Sequence, residues 1–381
     1  MKKIFYWGPF IENKIATIKA INNSAIGINR YSKNYKAKII NSVGEWNEFM
    51  DKTNKDFFIN SNFNLIKILP KYGFIRSRLS YLIISLLSFF QLKKILSNNK
   101  PDFFIVHLLV TTPLLLFYLF RFESKLIIRI SGKPKFNFFR KNLWKFASRN
   151  VYKVFCPTNE TRELLIKYNI FNKNIIFTLR DPIIDIKKFK DLKSDNNLKK
   201  NFEKNNIILA GRLTKQKNFN LIIKAIEKND YVKQKYKIYI FGNGELEKQL
   251  RKEITKRKLE KIIILMGYST NIIKYMKNSK LFILTSLWED PGFVLIEAAM
   301  CNLSIIASDC PSGPSEIISK YEDGGLLFKN NDENSLNKKL YDYFEMKNHK
   351  ILNKKIYVKK NIKDFTVFNH TINLEKYLKI S

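Results

Sequence analysis

The sequence predicts an α/β protein of two doubly wound domains, each a parallel sheet with helices on both faces, and a crevice between the two. Three observations predict this. Short apolar, β-rich runs alternate with segments of helical periodicity along most of the chain. A stretch dominated by Lys, Asp and Asn, from Asp185 to Asn206, splits that alternation into two series. At 381 residues, 45% of them hydrophobic, the chain is long for one domain and sufficient for two cores.

The first series opens with the strand KIFYW and a turn at Gly8-Pro9. Ile15 to Tyr31 carries apolar residues at helical spacing, and AKIIN is a second strand. DFFIVHL, SKLIIRIS and NVYKVFCPT follow, each ahead of a helical segment. The second series pairs NIILAG with the helix NFNLIIKAI and KIYIFG with the helix GELEKQLRKEI. KIIILMG, LFILT, LSIIAS and GLLF supply its remaining strands. The expected division is a first domain over residues 1–184, a linker over 185–206, a second domain over 207–355 and a terminal segment over 356–381.

Composition narrows the partners. Cys156, Cys301 and Cys310 have neither metal-ligand spacing nor the look of a disulfide framework, which points to a reducing compartment. The start, MKKIFYWGPF, is too short in apolar residues for a signal peptide and reads as a strand. Lys and Arg number 69 against 33 Asp and Glu, a net charge of +36. That excess has two readings: attraction to an anionic membrane surface, or a composition rich in Lys, Asn and Ile with no such purpose. No basic tail or nucleic-acid motif is present, so no nucleic-acid partner is expected. Leu79 to Leu92, flanked by Arg76, Arg78, Lys93 and Lys94, is too short to span a bilayer. It reads as a helix lying in an interface or as a buried helix of a large domain. Phe103 to Phe120 reads as a buried strand followed by a helix, and no transmembrane helix is expected.

The chemistry gathers at strand ends. Between LFIL and LSIIA lies the segment Leu284 to Asp309, where Glu289 and Glu297 stand on either side of Pro291-Gly292. Proline and glycine favour a helix starting near Gly292 and running through FVLIEAAM, with Glu289 on the loop before it and Glu297 inside it. Such a helix end offers free amides and a positive dipole to a phosphate, while carboxylates accept hydrogen bonds from hydroxyls. After NIILA comes Gly211-Arg212-Leu213-Thr214-Lys215-Gln216-Lys217, either a diphosphate clamp or a basic surface loop. Gly242-Asn243-Gly244 is a turn opening a helix, and Pro311 to Glu316 follows the strand after the acidic segment. In the first series Gly8 ends a strand, where backbone can approach a ligand. His107 at the end of DFFIV is either a satisfied core histidine or a site residue, and His349 and His370 read as structural or surface residues.

These motifs together resemble the retaining glycosyltransferases of family 4, which have the GT-B fold: two Rossmann-like domains facing a central cleft. The resemblance rests on Gly211-Arg212 with Lys217, on the GNGEL turn and above all on the two glutamates of WEDPGFVLIEAAM, and it spans about Ile207 to Phe328. It is looser in the first half, through WGPF, IVH and a terminal FTVFNHTINLEKYL similar to a segment that crosses back to the first domain. In general style the chain is similar to enzymes that assemble bacterial lipopolysaccharide and capsule. The resemblance implies a nucleotide-diphosphate sugar as donor substrate, a glycan or lipid-linked acceptor, and no metal or other cofactor. Arg212 and Lys217 would hold the diphosphate, Glu297 the ribose and Glu289 the donor sugar. Gly211, Gly242 and the Gly292, Phe293, Val294 and Leu295 backbone would line the donor, with Gly8 beside the diphosphate and His107 beside the sugar. The single Gly8, followed by Pro9, departs from the glycine pair of many relatives. A cytoplasmic enzyme, peripheral at the inner face of the plasma membrane, is the expected setting. The competing readings are a GT-B sugar-nucleotide epimerase, a non-catalytic nucleotide-sugar-binding protein and a nucleic-acid-binding protein.

Overall fold

The computed structural model describes residues 1–11, 16–50, 55–60, 64–70, 74–132, 134 and 136–379, without the side chains of 55 and 74–77. The chain forms two compact units, Met1–Ile183 with Val367–Ser381 and Ile184–Thr366. Each is a parallel sheet wrapped by helices.

Among the described residues the first sheet has seven strands: β1 (Lys2–Trp7), β2 (Tyr35–Asn41), β3 (Phe58–Asn60), β4 (Phe103–Val106), β5 (Lys125–Arg129), β6 (Val151–Cys156) and β7 (Ile176–Thr178). Their spatial order is β3-β2-β1-β4-β5-β6-β7. The second has six: β8 (Ile207–Ala210), β9 (Ile238–Phe241), β10 (Ile263–Gly267), β11 (Leu281–Leu284), β12 (Ser304–Ser308) and β13 (Leu326–Phe328), in the order β10-β9-β8-β11-β12-β13. Strand order therefore reverses once in each sheet, between β1 and β4 and between β8 and β11. Beyond the carboxyl ends at such a reversal, two loops leave in opposite directions and open a crevice.

The strands are continuous apolar runs because both faces are covered. In β1, Ile4 and Tyr6 enter one core while Phe5 and Trp7 enter the other. β4 repeats the alternation, with Phe103 and Ile105 on one side and Phe104 and Val106 on the other. Edge strands β3 and β7, three residues each, escape sequence reading, whereas the equally short β13 is legible in GLLF.

Three expected boundaries differ. The 185–206 stretch is part of the second unit and holds a helix, Ile186–Ser194, whose N-cap Asp185 accepts a hydrogen bond from the Lys187 amide at 3.1 Å. Phe202 anchors its far end, with ring centroids 4.7 Å from Tyr239 and 4.9 Å from Tyr275. The return to the first unit begins at Val367 rather than 356, since the helix Asn348–Asn361 stays with the second unit. The third concerns Leu79–Leu92, which is the middle of a longer helix, Phe74–Asn99. Arg78–Asn99 has the length and composition to cross a membrane, contrary to the shorter segment read from sequence. It also has a buried edge, Ser80, Ile84, Ser88, Leu92 and Leu96, that belongs to the folded unit. The side chain of Arg76, and Ile15, where the sequence reading began its first helical segment, lie outside the described residues.

The terminal helix Val367–Lys379 completes the first unit. It crosses the helix Ala16–Tyr31 at Gly27, where a β-carbon would come within 2.8 Å of Val367. Leu374 and Leu378 enter the core beside Ile21 and Ile28. Buried His370 fixes the register of this contact. Its Nδ1 lies 2.7 Å from the Arg180 carbonyl, which can only accept, so Nδ1 carries the proton. Nε2 then accepts from the Ser24 hydroxyl at 2.7 Å, and Ser24 accepts from the Tyr6 hydroxyl at 2.8 Å. Burial holds the His370 pKa down, to about 4. After β2, the buried Glu45 carboxylate accepts from the Ser42 and Val43 amides at 3.1 and 2.8 Å, yet burial pushes its pKa up to about 7.

These two groups have opposite linkage. Unfolded chains protonate His370 below its ordinary 6.5 while the native state stays neutral, so stability is lost as pH falls from 6.5 towards 4. Native Glu45 keeps its proton above its ordinary 4.5, so stability is lost as pH rises from 4.5 towards 7. Urea midpoints followed across this range should rise more gently with pH in His370→Gln than in the parent, and more steeply in Glu45→Gln. Parallel curves in all three proteins would contradict the assignment.

Candidate functional site

In the second unit the loops leaving β8 and β11 meet across the reversal of strand order. Lys217, on the β8 loop, places Nζ 2.5 Å from Oε1 of Glu289 on the β11 loop. Both side chains are largely buried, Glu289 more so than Lys217. The Ser286 hydroxyl donates to the same Oε1 at 2.5 Å. A glycine at 211 lets the lysine stem lie flat, since a β-carbon there would sit 3.2 Å from Cγ, Cδ and Cε of Lys217. The backbones are zipped together as well. Leu287 N donates to Gln216 O at 2.8 Å, Gln216 Nε2 to Trp288 O at 2.9 Å and Thr285 Oγ1 to Lys217 O at 2.8 Å.

Further strand ends lock onto this pair. Gly242 at the end of β9 crosses directly over the Gly211 carbonyl, leaving no room for a side chain. Leu213 N donates to Asn243 O at 2.9 Å, and Leu246 N to Leu213 O at 3.0 Å. From the β12 loop, Pro311 O accepts from Glu289 N at 3.0 Å, and Gly313 packs on the Pro291 carbonyl. Asn330 after β13 donates to Leu287 O at 3.0 Å.

The helix Phe293–Met300 starts where expected, with Gly292 at its N-cap in the left-handed region (φ 93°), a conformation that glycine adopts without penalty. Its first-turn amides are unequal. Leu295 N donates to Gly292 O at 3.0 Å and the Leu295 side chain is in the core, so Leu295 is spent on the fold. Phe293 and Val294 are the first two helical positions, whose amides have no acceptor inside the helix. Glu297, one turn on, is half-buried. Arg212 is exposed and has no ion-pair partner among the described residues. Two cationic side chains, two free amides and two carboxylates thus share the carboxyl edge of one sheet, a set suited to a phosphate flanked by hydroxyls. Burial first, then the charge of Glu289, pushes the neighbouring Cys310 thiol up to about 12, so it is no nucleophile. Among the described residues, no three His, Cys, Asp or Glu side chains cluster as metal ligands.

The first unit repeats the arrangement at its own reversal. Gly8 follows β1 and His107 follows β4, with His107 N donating to Trp7 O at 2.9 Å. A β-carbon on Gly8 would come within 2.6 Å of Ile21 and 3.2 Å of the His107 β-carbon, so this glycine is required by packing whatever else it does. His107 is buried, and its Nδ1 has no hydrogen-bond partner among the described residues. Burial, then the positive charge of Arg129, hold its pKa well below the ordinary value, so the ring is neutral. Arg129 itself is clamped by Asp181, its Nε 2.9 Å from Oδ1.

Sequence reading placed Lys217 and Glu289 on a ligand separately; the structure pairs them with each other. It missed Ser286, although the Ser-x-x-Glu spacing of SLWE was there to be read. It also missed Thr285, Gln216 and Asn330, which act through backbone contacts that no residue type announces.

The family model for glycosyl transferases group 1 matches residues 190–362. An uncharacterized glycosyltransferase of Methanocaldococcus jannaschii is 28% identical over 253 residues, 60% of this chain and 61% of its own length. The amylovoran biosynthesis glycosyltransferase AmsD of Erwinia amylovora is 32% identical over 254 residues, 64% of this chain and 68% of that one. An N-acetylgalactosaminyltransferase of Campylobacter jejuni, whose named acceptor is a diphospho-undecaprenol-linked sugar, is 34% identical over 130 residues, 34% of each chain. Among solved structures, a glycosyltransferase from Rickettsia africae superposes with a TM-score of 0.74 at 17% identity, over 100% of this chain and 99% of that one. Anabaena HepE in complex with UDP gives 0.71 at 14%, over 99% of both. The two parallel-sheet α/β units have the architecture of the GT-B glycosyltransferases. The chain belongs to the group 1 glycosyltransferase family.

Removing Lys217 would strand a buried carboxylate. Lys217→Ala should therefore lower unfolding free energy by about 3 kcal/mol, and Lys217→Met combined with Glu289→Gln should recover most of it. Chemical denaturation of the three variants measures this, and a Lys217→Ala protein as stable as the parent would refute the pairing.

Proposed function

We propose that the protein is a retaining glycosyltransferase of family 4, which moves a sugar from a nucleotide-diphosphate donor to a glycan or lipid-linked acceptor in bacterial cell-surface polysaccharide biosynthesis. The Lys217–Glu289 pair across the β8/β11 reversal, with Arg212 and a helix N-terminus beside it, is the observation that carries this reading. UDP in the HepE complex supports a uridine donor, and the relatives from Erwinia and Campylobacter support a polysaccharide or diphospho-lipid acceptor.

In the proposed reaction the bond between the anomeric carbon and the diphosphate oxygen breaks. The acceptor hydroxyl oxygen bonds to that carbon from the same face, and its proton passes to the departing phosphate oxygen. Charge grows on the diphosphate, so fixed positive groups lower the barrier. Arg212 and the Phe293 and Val294 amides supply it directly, without a metal. Lys217 supplies it from a position that Glu289 and Ser286 hold rigid. Glu297 takes the ribose hydroxyls, and the free Oε2 side of the Glu289 carboxylate takes hydroxyls of the donor sugar. Gly8, Gly211 and Gly242 admit backbone close to the ligand, and neutral His107 offers its unpartnered Nδ1 to the transferred sugar. The setting is the cytoplasm, at the inner face of the plasma membrane.

Arg212 is exposed, so its loss is separable from folding. Arg212→Ala should cut turnover about 10²–10³-fold with no change in melting temperature. A panel of UDP- and GDP-sugars with a diphospho-polyprenol-linked acceptor tests the whole reading. The product anomer, read by NMR, should match the donor; an inverted product overturns retention, and unimpaired Arg212→Ala overturns the site.

A further inference from the structure

Outside the strand-end sites, the first unit carries a surface that neither the fold nor the proposed reaction uses. The helices Phe74–Asn99, Thr111–Leu119 and Phe138–Ala147 lie side by side on it. The middle helix is tied to the third through Trp144 Nε1 donating to Thr111 Oγ1 at 3.0 Å and through the Tyr118 and Phe146 rings with centroids 4.6 Å apart, and to the first through the hydrogen-bonded hydroxyls of Thr112 and Ser85. Just beyond its end, Phe120 receives Lys93 Nζ of the first helix 3.9 Å over its ring.

The outward faces are apolar. Leu82, Leu86 and Phe90 form a stripe on the first helix, opposite its buried edge. Leu119 continues the surface, and Phe138 and Phe139 start the third helix at 76% and 80% exposure. Isolated exposed leucines need no explanation; a run across three adjoining helices does. Its charge is one-sided. Between residues 57 and 159 only Asp102 and Glu123 are acidic, against seventeen Lys and Arg. None of the three helices contains an acidic residue, while Arg78, Lys93, Lys94, Arg140, Lys141 and Lys145 punctuate them.

We propose that this face docks on an anionic lipid bilayer, its leucines and phenylalanines entering the headgroup boundary and its cations meeting lipid phosphates. Apolar residues that insert, long basic side chains that stay at headgroup level and an absence of acid are what such a surface requires. Nucleic acid explains the cations but leaves exposed Leu86 and Phe90 without purpose. The proposal locates the membrane contact of the enzyme proposed above, and it stands on the surface alone, independent of the donor chemistry.

The test is co-sedimentation of the full chain with phosphatidylcholine vesicles, with and without phosphatidylglycerol, at low and high salt. Binding should need phosphatidylglycerol and weaken with salt. Phe138→Ser with Phe139→Ser, and separately Lys141→Glu with Lys145→Glu, should each weaken it about tenfold or more. Melting temperature and transfer to a water-soluble acceptor should stay at parent values in both. Equal binding by parent and variants, or no preference for the anionic vesicles, overturns the proposal. So does a concentration-dependent dimer that loses vesicle binding, because a second copy then covers the face. Loss of transfer with intact vesicle binding would instead count against the catalytic reading.

Discussion

The second unit depends on a largely buried charge pair. Lys217 and Glu289 come from loops 72 residues apart in sequence, and each would be costly to bury alone. Coulomb attraction offsets that cost only with the remaining lone pairs and protons satisfied, and Ser286 supplies one such bond. The pair therefore specifies an arrangement more than it adds stability. With Lys217 and Glu289 joined, the loops of β8 and β11 have one register, and the crossing of Gly242 over Gly211 fixes the β9 loop against them. Glu289 N on Pro311 O draws in the β12 loop, so four strand ends become one rigid floor. A site for a flexible, charged donor gains from such rigidity, because groups already in position lose no freedom when charge develops.

The first unit solves the same geometric problem without a charge pair. Its crevice loops are held by a main-chain bond from His107 to Trp7 and by the close contact of Gly8 with Ile21 and His107. The buried charge nearby, Arg129 with Asp181, lies one strand further on and helps keep His107 neutral. A neutral ring with an unpartnered nitrogen suits recognition of a hydroxyl better than recognition of a phosphate. The two units thus present different chemistry from one topology: anion-directed in the second, neutral and hydrogen-bonding in the first.

Much of this was legible in the sequence. Strands such as KIFYW and NIILA announce themselves because burial on both faces makes every position apolar, and Pro291-Gly292 marks a helix start that the structure places at Phe293. Gly211, Lys217 and Glu289 were legible as a set through their order along the chain. Their pairing was not, because a carboxylate that meets a lysine looks the same in sequence as one that meets a sugar. The amide of Leu295 was expected at the ligand and is spent on Gly292, a distinction of one helical position. Asp185 to Asn206 reads as a linker because lysine and asparagine dominate it, yet an Asp N-cap, the buried Phe189 and Phe202, and bonds such as Asn271 to the Leu192 carbonyl and Lys274 to Asp195 fold it onto the second unit.

The terminal helix carries an implication for how the chain comes to be folded. Residues 184–366 form a unit entire in itself, inserted between two parts of another. The ribosome therefore delivers the whole of the second unit before the first can be finished. Until residues 367–379 emerge, Ser24 and the Arg180 carbonyl lack their imidazole, and the core around Ile21 and Ile28 lacks Leu374 and Leu378. Domains commonly fold in the order in which they are synthesised. Here the unit begun first is closed last, so its unfinished face stays open throughout the making of its neighbour. A chain cut short by a few turns of helix would keep its charge pair and lose its first domain's keystone.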